Sequence, residues 1–335
     1  MAEVAVPLLV GLAPVLGFLA ALVLLESYKI VRLSTVVGVV AAGAAVAAAC
    51  YFANAWLMER LGLDLAPYSR YVAPIVEEFM KAAIMGVLVH THRVGFLVDG
   101  AILGFAAGAG FAVVENVYYQ QVAADAGLGT WIVRGFGTAI MHGGVTAIYT
   151  VATLALIEWV RPRILAFVPG FALAVALHSL YNHMFLPPKL STLAVLLVIP
   201  PLILFVFHRS QAAVGDWLGR GFDSDAERLA LIQSGALSDS PIGRYLATLR
   251  RRFEGPIVAD LLCYLRLYTE LAMRAKGLIM MREAGFDVPV DEETKAKFEE
   301  MRYLEKSIGR TGLLALQPVL PMSQKELWQL SMLGK

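Results

Sequence analysis

Charge is what this chain lacks. Only 16% of its 335 residues are Asp, Glu, Lys or Arg, where a soluble chain carries about one quarter. The shortage is uneven: residues 1–208 hold 20 of the 55 charged residues and residues 209–335 hold the other 35. A net charge of +1 leaves no basic footprint for nucleic acid. Cysteine is scarce too. Cys50 lies in an apolar run and Cys263 in the charged remainder, which excludes a disulfide framework and a metal-type spacing. The His-Glu-x-x-His run of zinc proteases is missing. No alternating strands suggest a barrel, so apolar segments that cross lipid must do so as helices.

Apolar runs are abundant. Seven, at about 4–25, 33–58, 71–90, 94–122, 130–157, 164–187 and 190–207, approach the roughly 17–25 helical residues that span a hydrocarbon core. The expected fold is all-α: a polytopic membrane bundle of about seven transmembrane helices over residues 1–208, then a soluble helical domain over residues 209–335. The first run has 22 uncharged residues, too many for a signal-peptide core, and reads as a retained span. Lys29 and Arg32 follow it, which predicts an N-terminus outside and a first loop in the cytoplasm. Alternation then sets Lys29, Arg32, Arg93, Arg161 and Arg163 inside against Arg60, Arg70 and Lys189 outside, and the C-terminal domain falls in the cytoplasm. The expectation is a multi-pass cell-membrane protein surrounded by lipid.

The charged remainder also reads as helical. Ser224 with Glu227 and Ser323 with Glu326 have capping-box spacing. Ile257, Leu261, Leu265, Tyr268 and Leu271 recur at three- and four-residue steps, with Gly285 as the stop and Pro318 and Pro321 before a last short helix. No catalytic motif stands out there, and its plain reading is a helical domain packed on itself.

A charge at mid-bilayer costs at least about 2.5–3.5 kcal/mol, so each ionisable group inside a span needs a partner or a function. The set is Glu77, Glu78, Lys81, Asp99, Glu115, Arg134, His142, His178 and His183. At a rise of about 1.5 Å per residue, Glu77, Glu78 and Glu115 lie roughly 10 Å below the outer edge, His178 about 14 Å and His142 about 18 Å. Four helices thus bring a carboxylate or imidazole to one level. Asp99, near the inner surface, reads as a helix start, and Arg134 and His183 as structural or interfacial. Lys81 stands at i+4 from Glu77 and i+3 from Glu78, so it can neutralise one carboxylate but not serve both equally. His178 and Asn182 share a face, as do Phe111 and Glu115, and Gly104 and Gly108 give the small-xxx-small spacing of closely packed helices. The plain alternatives are a buried ion pair for Glu77, Glu78 and Lys81, interhelical hydrogen bonding for Glu115 with Asn116, and satisfied core histidines at His142 and His178.

Glu77-Glu78-x-x-Lys81, Phe111-x-x-x-Glu115-Asn116, His142 and His178-x-x-x-Asn182, in that order on successive helices, resemble the PrsW family of glutamic intramembrane proteases. The resemblance covers roughly residues 70–187. The wider superfamily includes the CAAX-processing and bacteriocin-processing endopeptidases, and the Aph subunit of gamma-secretase looks like a non-catalytic relative. What the resemblance implies is bacterial site-one cleavage of a single-span partner such as an anti-sigma factor, on its extracytoplasmic side.

The residues then suggest peptide hydrolysis. Glu77 or Glu78 is the expected general base on water, Lys81 tunes the pair, and Glu115 shares the water or returns a proton. His178 and Asn182 are expected to donate to the oxyanion, and His142 to orient the water or supply a further donor. No cofactor is expected. Two Glu and two His are nonetheless an acceptable zinc ligand set, which keeps a metal-run hydrolysis open. The non-enzymatic alternative is a membrane scaffold or sensor subunit that binds a partner's helix. A proton-coupled carrier would need a polar route that the inner half, with Asp99 alone, does not offer.

Overall fold

The computed structural model describes residues 2–123, 125–286, 288–320 and 322–334. Every regular element among them is helical. The described chain divides into two compact units, one of residues 1–91 and 96–211, the other of residues 92–95 and 212–335.

The first unit holds α1 (Ala2–Leu25), α2 (Leu33–Leu61), α3 (Ala73–His90) and α4 (Leu97–Val122). It continues with α5 (Leu128–Leu156), α6 (Phe167–Asn182) and the first half of α7 (Pro188–Gln233). Six described helices are long and apolar enough to cross a membrane: α1, α2, α4, α5, a span of Arg163–Asn182 that includes α6, and α7. The third expected span, 71–90, forms α3, but Glu77, Glu78 and Lys81 remove it from that apolar set. Its faces explain why it still suits lipid. Ile75, Phe79 and Val87 point outward, while Glu78, Lys81 and Met85 are buried. A helix that hides its charges and exposes its apolar side chains is inside-out with respect to water. Phe52, Leu197 and Phe205 are likewise exposed, a surface that lipid tolerates and water does not.

Backbone contact between helices sets the positions of the site residues. A Cβ on Gly43 of α2 would lie 2.1 Å from the Ala107 carbonyl oxygen of α4, and one on Gly108 would lie 2.1 Å from the His142 carbonyl oxygen of α5. Only glycine lets α4 touch both neighbours, and the second contact brings His142 against α4. Gly38, on the same helix as Gly43, has no neighbour at its Cβ position. Gly43→Ala should therefore destabilise the protein by about 1–3 kcal/mol, the usual cost of overpacking. Gly38→Ala should be neutral or slightly stabilising, because alanine favours helix. Thermal midpoints of the two purified variants check the pair, and equal midpoints would contradict the contact.

Two wide π-type turns interrupt the bundle, Tyr68–Val72 ahead of α3 and Val133–Ala139 within α5. Such turns re-aim side chains and recur at functional sites. Asp99 caps α4, its Oδ1 accepting from the Phe96 backbone N–H at 2.8 Å.

The second unit comprises the end of α7, α8 (Pro241–Leu249), α9 (Gly255–Glu283), α10 (Glu292–Leu316) and α11 (Gln324–Leu333). Leu261, Leu265, Tyr268, Leu271 and Ala272 of α9 line its core. Gly285 takes a left-handed φ of 89° just past that helix, as a helix stop requires. Ser323 caps α11 by accepting from the Glu326 N–H. The Ser224–Glu227 spacing starts no helix, because α7 runs unbroken through it; the pattern is met inside a helix whose apolar face continues. Pro321 lies outside the described residues. Lys276, buried here, pairs with Asp225 at 2.8 Å and lies over the Trp217 ring. Residues 92–95 are held by Gln324, whose Nε2 donates to the Val94 carbonyl at 3.0 Å.

Candidate active site

The fully buried Lys81 ammonium organises the centre of the first unit. Its Nζ donates to Glu78 Oε1 at 2.5 Å and lies 3.2 Å from His142 Nδ1. The Phe111 ring covers it at 4.7 Å, which gives the aromatic of the Phe111-x-x-x-Glu115 pair a task. An ammonium can only donate, so His142 Nδ1 accepts and the imidazole proton sits on Nε2. That N–H points to Glu115 Oε2 at 2.9 Å. Glu115 also meets Arg134 Nη2 at 3.4 Å. Arg134 donates from Nε to Asn116 Oδ1 at 2.9 Å and stacks 3.7 Å over Tyr119.

On the other side, Glu78 Oε1 accepts from His178 Nδ1 at 2.7 Å. The proton of His178 is thereby fixed on Nδ1, and Nε2 faces Glu77 Oε2 at 3.8 Å. Glu77 Oε1 accepts from Asn54 Nδ2 at 3.0 Å, and the Tyr68 hydroxyl donates to Asn54 Oδ1 at 2.9 Å. Arg134, Glu115, His142, Lys81, Glu78, His178, Glu77, Asn54 and Tyr68 form one continuous polar chain across five helices and two π-turns. Asn182 donates to the Ser69 carbonyl at 2.9 Å, and Ser179 to the Arg70 carbonyl at 2.6 Å, so α6 is clasped onto the first π-turn.

The adjacent glutamates differ in kind. The Glu78 side chain is 2% exposed and committed to Lys81 and His178. That of Glu77 is 15% exposed and lines a cavity of about 810 Å³ with Asn54, Tyr68, Glu115, Arg134, His142, His178 and Asn182. Glu78 and Lys81 do not line it. Of the seven residues singled out from sequence, all seven fall in this region, five of them on the cavity wall. Arg134, read from sequence as structural or interfacial, pairs with Glu115 and also faces the cavity. His183 stays apart, hydrogen-bonding the Ser179 carbonyl and stacking on Phe185. Sequence reading missed Asn54 and Tyr68. Its signal was charge inside a span, and an amide or phenol carries none; an Asn amid the alanines of α2 was the available clue.

Both nitrogens of His142 are engaged, so the imidazole bridges Lys81 to Glu115. A metal can be weighed against the same geometry. Glu77, His142 and His178 each offer one ligand atom, all within 4.8 Å of one another. One carboxylate and two imidazoles match a catalytic zinc set. Glu77 and His178 present free atoms, whereas His142 would have to give up Lys81 or Glu115. With that one exchange the donors fit.

A family model described as PrsW family intramembrane metalloprotease matches residues 26–207. The chain belongs to the PrsW family. No curated protein matches it, and no solved structure does. The matched residues contain every member of the polar chain, so this PrsW-family protein is an intramembrane protease, and its apolar helices make it a membrane protein.

Proposed function

We propose that this PrsW-family protease hydrolyses its peptide bond with Glu77 as general base. The observation that carries the reading is the facing pair of Glu77 Oε2 and His178 Nε2, 3.8 Å apart, on the wall of the cavity. A water in contact with both has one proton directed to the carboxylate and the other to the imidazole nitrogen. Glu77 takes a proton as the water oxygen bonds to the scissile carbonyl carbon. The tetrahedral adduct then collapses with cleavage of the C–N bond, and the leaving amine recovers the proton from Glu77. General base catalysis of this type contributes about 10²–10⁴-fold. Glu78 and Lys81 supply no proton; they fix the His178 ring through Nδ1.

His178 thus takes a different part from the donor role expected from sequence, because its one proton is directed to Glu78. Oxyanion stabilisation is left to Asn182, which retains a second N–H beyond the one given to Ser69; a donor there contributes about 2.7–4 kcal/mol. The Arg134–Glu115 pair holds His142 and through it Lys81.

A second reading has Glu77, His142 and His178 hold a divalent ion, favoured by their mutual spacing and by the description of the matching family. Bound zinc would acidify its water and polarise the carbonyl. Glu78 would then orient His178 from outside the ligand set, as carboxylates commonly do.

The substrate we propose is a single-span membrane protein, such as an anti-sigma factor, cut near its extracytoplasmic face with the second unit in the cytoplasm. The family resemblance and the depth of the ionisable groups support this. Purified protein in lipid vesicles should cut a tagged single-span substrate, and Glu77→Gln should not. Equal cutting by both would end the assignment. Chelation should leave the parental rate unchanged under the first reading; loss restored by zinc, with zinc bound to the parent and not to His178→Ala, would favour the second. Labelling of a cysteine at position 125 only from the cytoplasm would overturn the topology.

A further inference from the structure

We infer that Asn54, held by Tyr68, is a positioning residue that sets which oxygen of Glu77 meets the water; this rests on the proposed role of Glu77. Asn54 comes from α2, outside the helices that carry the paired glutamates and the histidines. An amide can turn over and present either its oxygen or its nitrogen. The Glu77 carboxylate removes that freedom, because it can only accept and so takes the NH₂ end, and the Tyr68 hydroxyl then holds the amide by donating to Asn54 Oδ1 at 2.9 Å. The NH₂ is thereby aimed at Glu77 Oε1, 3.0 Å away. With Oε1 engaged, Oε2 is the oxygen left facing His178 Nε2.

The arrangement mirrors the opposite wall, where Glu78 fixes the His178 ring. Each partner of the water is therefore held from behind by a hydrogen bond, the carboxylate by an amide and the imidazole by a carboxylate. The anchor is itself tied down. Tyr68 is buried and begins the π-turn whose Ser69 and Arg70 carbonyls accept from Asn182 and Ser179. Chemically this is the device of the outer-shell hydrogen bonds that orient ligands at metal sites, whose removal there lowers activity about 10–100-fold.

The test uses the full-length protein in vesicles with a tagged single-span substrate. Asn54→Leu, close in shape but without a donor, should lower kcat about 10–100-fold while KM stays within about twofold, as expected for a group acting through the base. Tyr68→Phe removes only the hydroxyl that holds the amide oxygen and should lower kcat by a smaller factor, again without a change in KM. Because Tyr68→Phe deletes one atom, it carries the test if Asn54→Leu does not fold. Parental kcat in both variants, or a raised KM at parental kcat, would overturn the inference, the latter making Asn54 a substrate contact. Glu77→Gln is measured beside them. An inactive Glu77→Gln with a fully active Asn54→Leu removes the positioning role alone, whereas an active Glu77→Gln removes the base assignment beneath it.

Discussion

Lys81→Met is expected to destabilise the protein by about 3–5 kcal/mol and to abolish cleavage, because it leaves the buried Glu78 carboxylate without its cation. Lys81 is fully buried and Glu78 nearly so, and the ammonium contacts Glu78, His142 and the Phe111 face. Glu78→Gln should be destabilising by a similar mechanism, since it strands the ammonium. The double variant Glu78→Gln/Lys81→Met is the informative one. Replacing both members of a buried pair by groups of similar volume is often neutral or stabilising, and the Gln carbonyl still accepts from His178 Nδ1. Thermal midpoints should therefore recover in the double variant, while cleavage stays impaired because His142 has lost its Lys81 contact. A midpoint that falls additively would show that the two side chains do not act as a pair.

The second large effect is expected at His178. His178→Ala deletes the acceptor opposite Glu77 and one of the two groups that hold Glu78. Cleavage should fall by about 10²–10⁴-fold, with the protein still folded because Lys81 continues to neutralise Glu78. Initial rates at saturating substrate, alongside the thermal midpoint, check this. His183→Ala is the internal control, since its imidazole hydrogen-bonds the Ser179 carbonyl and packs on Phe185 and Tyr71, away from the cavity wall. If the two variants lose activity equally, the distinction between them is wrong.

The sequence made the bundle legible because lipid imposes long uncharged runs, and it flagged the site because charge inside those runs is costly. Glu77, Glu78, Lys81, Glu115, His142 and His178 were visible for that reason. The structure adds what spacing along one helix cannot supply, namely which atoms of different helices meet. It separates Glu77 from Glu78 by exposure to the cavity, and it fixes the His178 proton on Nδ1. Asn54 and Tyr68 escaped because neutral polar groups raise no alarm in a hydropathy reading. Arg134 reads from the sequence as structural or interfacial, since nothing local reveals its partner 19 residues earlier at Glu115. Ser224 with Glu227 misled because capping-box residues also occur inside a helix that tertiary packing prolongs, as α7 does.

The proposed division of work between the adjacent carboxylates is decided by a side-by-side comparison of Glu77→Gln and Glu78→Gln. Each purified variant is assayed in vesicles for cleavage of the same single-span substrate and for its thermal midpoint. Glu77→Gln should keep the parental midpoint without cleavage, and Glu78→Gln should have a clearly lowered midpoint. Cleavage by Glu77→Gln at the parental rate, or a parental midpoint in Glu78→Gln, would contradict that division.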